Sequence, residues 1–431
     1  MSNVVEYRKF ICVNFEDSNN NKVWNIKLYD NDDVEVEWGR VGKSFQSKIH
    51  FGGGRHKFDS LIKKKTNPSN SPDKLYSENK VVEGISSSPK NHNLAEIATE
   101  QIKTKSKIVR DLVEYLTEVN AHNILIATGG NIVFDVSTAQ FKTPQGIIIP
   151  EQVQMARQLL ADMSDFVRQQ EWQDTTFRKK LNEYLRLIPH DVGMKRIEPR
   201  KILPSMDILQ RENDILDGLE TSFTVVTTQP KSDKEEIVIP KLFDVEMDCV
   251  DDGIEVDRIN RYYQKTRRRM HTSNKFRLKQ VYKVRIANVT SAFEKRGKAV
   301  GNIMELFHGT KCSNCLSILK QGLVIPPANA AHCTGRLYGS GVYASDISTK
   351  ALNYATNFWN GGGNTSRTFM FLVDFAMGKI YYPNCGYGSR FPVKGFDSTF
   401  AKAGSGGVYN NEMIVYRTSQ CQLKYLVEFG K

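Results

Sequence analysis

The chain has 431 residues, about three times the size of a common domain, so several domains are expected. Aliphatic, aromatic and cysteine residues make up 40% of it and charged residues 25%, which suits a soluble globular protein and excludes wholesale disorder. No apolar run approaches the roughly 18 residues of a membrane-spanning helix, and a net charge of +12 makes a polyanion such as nucleic acid the first partner to consider.

The stretch Met1 to Phe10 carries Glu6, Arg8 and Lys9, so it lacks the apolar core of a signal peptide. Seven cysteines, odd in number and dispersed, argue against a disulfide framework and for a reducing compartment. Residues 1–66 read as a small β-rich module. Lys22 to Tyr29 alternates apolar and polar side chains, Asp30 to Asp33 supplies turn chemistry, and Val34 to Trp38 alternates again. Phe58, Leu61 and Ile62 then predict a short amphipathic helix ending in Lys63, Lys64 and Lys65. From residue 67 to 93 the composition shifts to Asn, Ser, Pro, Lys and Glu, which predicts a flexible linker.

Residues 94–221 predict a helical bundle. Leu112, Leu116 and Val119 mark one face, and Val153, Ala156, Leu160, Met163 and Val167 a longer one that starts at Pro150-Glu151. Leu181, Leu185 and Ile188 continue until Pro189 stops the pattern, and Ile208, Ile215 and Leu219 mark a further helix. Residues 225–431 return to strands such as Phe369 to Val373, Met413 to Tyr416 and Leu423 to Phe429, punctuated by glycines. A mixed domain on antiparallel sheet fits better than alternating βαβ units, so the expected fold class is α+β multidomain.

Three motifs fail on context. Gly42-Lys43-Ser44 resembles the end of a phosphate-binding loop, but Glu37 stands where its first glycine is required. Gly339-Ser340-Gly341-Val342-Tyr343-Ala344 fits a loose dinucleotide pattern without a buried strand before it. Cys312 and Cys315 with His332-Cys333 offer zinc ligands, but no second CxxC pair supports a metal, and none is expected.

A more specific constellation occupies the last third. Leu306-Phe307-His308-Gly309-Thr310 precedes a helical stretch ending in Gln321-Gly322-Leu323. Thr334 to Asp346, Asn353-Tyr354 and Tyr409 to Tyr416 follow. In order and spacing these blocks resemble the catalytic domain of the poly(ADP-ribose) polymerases. Val34 to Lys43, centred on Trp38-Gly39-Arg40, resembles the WGR domain of that family, and Asn182 to Gly193 resembles the end of its helical regulatory domain.

The resemblance implies an NAD+ ADP-ribosyltransferase with NAD+ as substrate. Expelling nicotinamide builds positive charge at the anomeric carbon, as in glycoside hydrolysis. By resemblance, His308 bonds the ribose, Gly309 pairs with the carboxamide, and Thr310 and Ala351 line the same NAD+ site. Tyr343 and Tyr354 sandwich the ring. Glu412 stabilises the developing cation and polarises the acceptor hydroxyl, with His308 and Tyr343 completing the catalytic set. A glutamate at position 412 implies chain elongation. Ala351 departs from the family's usual serine, Ser340 from its usual lysine and Val324 from a common arginine. These departures keep two alternatives open, a mono(ADP-ribosyl)transferase and a DNA-end-binding protein with a decayed pocket.

The resemblance also gives the positive charge a role. Trp38 would stack on a DNA end, and Arg40, Lys43, Lys48 and Arg55 would meet phosphates. The implied partners are DNA ends or nicks and protein acceptors including the chain itself, with no membrane. The implied location is the nucleus, or the cytoplasm or nucleoid in a prokaryote. The helical region is expected to shield the NAD+ pocket until DNA engagement loosens it.

Overall fold

In the computed structural model, residues 2–14, 20–41, 43–71, 74–78, 94–135, 140–143, 146–192, 197–220, 241–325, 337–356, 367–384, 391–404 and 407–431 are described. They fall into two compact units, one of residues 1–93 with 121–223 and one of residues 94–120 with 224–431.

The first unit contains a five-stranded antiparallel sheet in the order Gln46–His50, Val34–Arg40, Asn20–Tyr29, Val4–Asn14, Ser77–Glu78. Its central hairpin follows the alternation in the sequence, with Trp24, Ile26, Leu28, Val34 and Val36 buried on one face. The Asp-rich turn closes it, with Asp32 at a positive φ of 63°, a conformation that Asp tolerates better than most residues. Helix Gly54–Thr66 lays Phe58 and Ile62 on that face, and its three terminal lysines suit the negative end of the helix. The expected linker starts later than residue 67. Tyr76 enters the same core, its N–H donates to Lys65 O at 3.0 Å, and Ser77–Glu78 joins the sheet beside Val4–Asn14. A buried tyrosine in an otherwise polar stretch holds the chain there. Residues 79–93 lie outside the described ones.

The longer helices of this unit, among the described residues after position 121, are Pro150–Gln169, Thr175–Leu187 and Met206–Leu219, and strands Val133–Asp135, Gln140–Thr143 and Gly146–Ile147 form a three-stranded sheet. Proline opens the first helix, where a missing N–H costs nothing. Val153, Ala156, Leu160, Met163 and Val167 form its buried stripe. Asp174 caps the second by accepting from the Thr176 and Phe177 amides. That helix stops at Leu187, two residues before Pro189.

The stretch 94–221 is therefore not a single block, because residues 94–120 cluster with the C-terminal part of the chain. Ile102–Lys103 forms the outer strand of its large sheet, in parallel with Val245–Cys249. The Gln101 side chain accepts from the amides of Leu242 and Phe243. Tyr115 packs against Phe369, with the Arg367 guanidinium 4.7 Å from its ring centroid.

The second unit carries a six-stranded sheet in the order Ile303–Gly309, Thr368–Ala376, Cys421–Gly430, Arg277–Ile286, Val245–Cys249, Ile102–Lys103. A four-stranded sheet in the order Val342–Ala344, Glu412–Val415, Ser398–Ala401, Ile380–Tyr381 accompanies it. Thr368–Ala376 is buried nearly throughout, as its run of large apolar residues requires of a strand covered on both faces. Helices Gly253–Lys265 and Ser348–Ala355 cover the large sheet through Ile259, Tyr263, Ala351, Leu352 and Ala355, which meet Phe307, Met370 and Val427. Among the described residues, no helix is long and apolar enough to cross a membrane.

Candidate active site

The two sheets of the C-terminal unit meet where Phe307 and Ser345 exchange backbone hydrogen bonds of 2.9 and 3.0 Å. Phe307 points into the core, so its neighbour His308 emerges on the opposite face of the strand. His308 Nδ1 lies 2.9 Å from the Tyr343 carbonyl. A carbonyl only accepts, so Nδ1 carries the proton and the neutral ring presents Nε2 as an acceptor. Burial pushes the His308 pKa below its ordinary value, against the opposing effect of this hydrogen bond.

Tyr343 sits opposite Ile414 in the adjoining antiparallel pair. Cross-strand partners share a face, and residues two apart along a strand share it too, so Tyr343 and Glu412 project from the same side. The Tyr343 hydroxyl donates to Gly339 O at 2.8 Å and accepts from the Tyr338 amide at 3.2 Å. Gly339 has a φ of 83°, and a Cβ there would stand 2.6 Å from Phe391 Cβ, so both conformation and space demand glycine.

Helix Ser348–Ala355 supplies the other wall. Its Lys350 Nζ lies 2.7 Å from Glu412 Oε1 and donates to Asn411 O at 3.1 Å, and the two side chains keep only 11% and 13% of their surface. Burial lowers the Lys350 pKa, and the attraction of Glu412 only partly offsets this. Tyr354, one helical turn on from Lys350, shares its face. Burial of the phenol and the charge of Glu412 push Tyr354 up to about 12, although 38% of the residue stays exposed. Asn411 steadies the corner. Its carbonyl accepts from Ser345 Oγ at 2.7 Å and its side-chain amide donates to Asp346 at 2.9 Å.

His308, Gly309, Tyr343, Ala351, Tyr354 and Glu412 are thus carried by adjoining elements of one unit. Gly309 is dictated by packing, since a Cβ there would fall 1.6 Å from Ala351 O. Ala351 itself is 3% exposed and belongs to the hydrophobic core. Thr310 follows on the loop and receives Asn314 Nδ2 at 3.4 Å. Lys350 was missing from the residues singled out by sequence. Its signal was a lone lysine on a helix that otherwise buries Ala351, Leu352 and Ala355. His332, Cys333 and residues 334–336 lie outside the described ones. Among the described residues no three His, Cys, Asp or Glu side chains gather as metal ligands.

Two family models match the chain. The poly(ADP-ribose) polymerase catalytic domain matches residues 254–385, and the poly(ADP-ribose) polymerase regulatory domain matches residues 131–238. A putative poly [ADP-ribose] polymerase-like protein, 100L of Invertebrate iridescent virus 6, is 32% identical over 135 residues, covering 29% of this chain and 70% of its own. The chain belongs to the poly(ADP-ribose) polymerase family. It carries the catalytic domain of these ADP-ribosyltransferases, and Glu412 lies beyond the end of the matched segment. Poly [ADP-ribose] polymerase 2 of Arabidopsis thaliana is 23% identical over 464 residues, 95% of this chain and 71% of its own. Poly [ADP-ribose] polymerase 1 of Gallus gallus is 25% identical over 365 residues, 75% of this chain, which spans only 34% of that relative's length.

Of the residues expected to meet DNA, Trp38, Arg40 and Lys48 lie on strands of the N-terminal sheet, Lys43 between two of those strands and Arg55 on helix Gly54–Thr66. Trp38 is half-buried against the sheet's core, opposite Trp24 and Gln46. A Cβ on Gly39 would stand 2.5 Å from the Phe45 ring, which explains the glycine between Trp38 and Arg40. Lys43 and Lys48 are exposed, Lys48 on the outer strand Gln46–His50. Lys48 and Lys57 both depress the His50 pKa, after burial, as expected where positive potential concentrates. Arg55 is engaged by Glu6 at 2.5 Å, an exposed pair of the kind worth about 0–1 kcal/mol and readily exchanged for a phosphate.

Proposed function

We propose that this chain is a DNA-break-activated poly(ADP-ribose) polymerase that transfers ADP-ribose from NAD+ to protein acceptors, itself included, and elongates the chain. The Lys350–Glu412 pair, in the same unit as a His308 tied to the Tyr343 carbonyl, carries the reading. Breaking the bond between nicotinamide and ribose leaves cationic character on the sugar, and a fixed carboxylate stabilises it best where water is scarce. Lys350 takes one oxygen of Glu412, which holds the carboxylate in position for the ribose and the acceptor hydroxyl. The same carboxylate then draws the acceptor proton as general base. Neutral His308 would accept from a ribose hydroxyl through Nε2, while Tyr343 and Tyr354 flank the nicotinamide ring.

DNA would be engaged by the N-terminal module, read as a WGR domain, through Trp38, Arg40, Lys43, Lys48 and Arg55. Such a protein would work in the nucleus, or in the cytoplasm or nucleoid of a prokaryote. Supporting this, exposed cations cluster on the outer strand and near Gly52–Lys57 without any base-reading motif, as sequence-independent backbone contact requires. The helical region would hold the pocket closed until DNA binds. Because residues 94–120 belong to the catalytic unit, the deletion that tests shielding should spare them and remove Thr128 to Glu220.

Incubation with labelled NAD+, with and without nicked duplex, tests the reading. Long labelled polymer formed only with DNA is expected. A single labelled unit would instead favour mono(ADP-ribosyl)transfer, in line with the name of one relative, protein mono-ADP-ribosyltransferase PARP3 of Mus musculus, 24% identical over 95% of this chain. No nicotinamide release at all would leave a DNA-end-binding protein.

A further inference from the structure

ADP-ribosyl transfer makes no use of Cys312 and Cys315, yet their setting is specific. The chain leaves His308-Gly309 through Thr310 and Lys311, enters a 3₁₀ turn over Cys312–Asn314, and starts the helix Cys315–Gln321. Residues three apart eclipse in a 3₁₀ turn, and here the Cys315 amide donates to Cys312 O. The Cys315 thiol donates to Lys311 O at 3.8 Å, and the neighbouring Cys312 helps to raise its pKa. Cys315 is buried, whereas Cys312 is partly exposed. One residue of the pair is therefore reachable by a small oxidant and the other is sheltered. The turn is tied at both sides. Asn120 Nδ2 donates to Ser313 O at 3.0 Å, and Asn314 Nδ2 reaches Thr310 Oγ1 at 3.4 Å.

We propose that Cys312 and Cys315 form a redox-active dithiol whose oxidation to an intramolecular disulfide tightens this turn and weakens NAD+ binding at Thr310 and His308. The effect on NAD+ rests on the transferase reading, whereas the dithiol itself does not. With hydrogen peroxide as oxidant, the Cys312 thiolate attacks one peroxide oxygen. An S–O bond forms, the O–O bond breaks, and the departing hydroxide takes the proton that Cys312 gave up. Cys315 sulfur then attacks the sulfenic sulfur of Cys312. The S–S bond forms, the S–O bond breaks, and hydroxide leaves with the Cys315 proton as a second water. The sulfurs lose two electrons and the peroxide gains them.

A disulfide requires Cβ atoms about 3.8 Å apart, so closing it draws Cys312 toward the helix and strains the Asn314–Thr310 contact. A cellular thiol reductant would reopen it. Buried Cys315 is kept protonated by the neighbouring Cys312 and by burial, which suits the resolving position rather than the attacking one.

The test uses the full chain, reduced and then treated with hydrogen peroxide, alkylated and analysed by peptide mass. The expected product is a Cys312–Cys315 peptide lighter by two hydrogens and protected from alkylation, restored by dithiothreitol. The oxidised protein should show a KM for NAD+ raised about fivefold, the size of one weakened hydrogen bond. Cys312→Ser should remove both responses and leave the KM of the reduced protein unchanged. Cys12, Cys249 and Cys421 serve as internal controls. The proposal is overturned if both thiols stay alkylatable after peroxide, or if Cys312 pairs with another cysteine. It is equally overturned if the disulfide forms with KM unmoved, or if the purified protein holds one zinc per chain on these thiols. A reduced protein without NAD+ turnover would sink the transferase reading instead, and the peptide masses would then decide the dithiol alone.

Discussion

A buried carboxylate meets a cation at one site in each unit, Glu212 with His190 and Glu412 with Lys350, and these two sites are built to opposite ends. In the helical unit, Glu212 accepts from the Tyr184 hydroxyl at 2.5 Å and lies 2.9 Å from His190 Nε2. His190 Nδ1 meets Ile188 O at 2.8 Å, and Asn21 donates to His190 O at 3.1 Å. Every partner comes from the same unit and the site is closed. In the catalytic unit, Glu412 stands at the start of a strand, held by one lysine, beside a tyrosine that keeps more than a third of its surface. The two histidines report the contrast. His190 has a carboxylate partner and its pKa is raised against burial, whereas His308 has only a carbonyl and its pKa is lowered by burial. The first site spends its charge on holding helices together, and the second keeps a neutral base and an anion ready for something absent from the chain itself.

The comparison breaks most visibly at His190. Substituting His190→Leu leaves Glu212 buried without its cation, which should cost about 3–5 kcal/mol of stability. Urea unfolding measures it, and a loss below about 1 kcal/mol would show that the pair is not a lock. Next in size is Lys350→Gln, which should lower turnover about 100-fold while the protein stays folded. Without the ammonium that takes one of its oxygens, the Glu412 carboxylate loses its fixed position, so the loss should fall on kcat more than on the KM for NAD+. An unchanged kcat would detach Lys350 from catalysis.

The pH dependence sharpens the contrast further. A raised His190 contributes stability that is complete below its ordinary value of 6.5 and fades as pH rises through its folded pKa. A lowered Glu212 contributes stability that is complete above its ordinary value of 4.5 and fades as pH falls through its folded pKa. The pair therefore supports the helical unit most fully between these two values. Thermal unfolding of the wild type should show a stability maximum in that window that His190→Leu loses. Catalysis should instead survive below pH 6.5, because His308 stays neutral there, and decline on the alkaline side before 10.5 as Lys350 loses its proton. The smallest effect is expected of Ala351→Ser. A hydroxyl at this position should tighten NAD+ and benzamide-like inhibitors about fivefold. Unchanged affinities would mean that the buried methyl faces only the core.

Periodicity made much of the fold legible. The hairpin Lys22 to Trp38, the stripe Val153 to Val167, the stop at Pro189 and the buried strand Phe369 to Val373 all follow from side-chain spacing and turn residues. What escaped was long-range. No local pattern tells that Tyr76 turns back into the first sheet, or that Ile102–Lys103 pairs with a strand more than a hundred residues later. The candidate site was legible mainly through motif order, since each member alone reads as an ordinary core or surface residue. Lys350 was hidden because its value lies in a partner 62 positions away.

The central claim is that Glu412, positioned by Lys350 in the same unit as His308, stabilises the sugar cation formed from NAD+. Nicotinamide release and product length, measured together for the wild type and a folded Glu412→Gln variant with nicked duplex present, test it most directly. The account predicts polymer from the wild type, and from the variant at most single units with release slowed about 100- to 1,000-fold. Polymer of unchanged length and rate from the variant would contradict it.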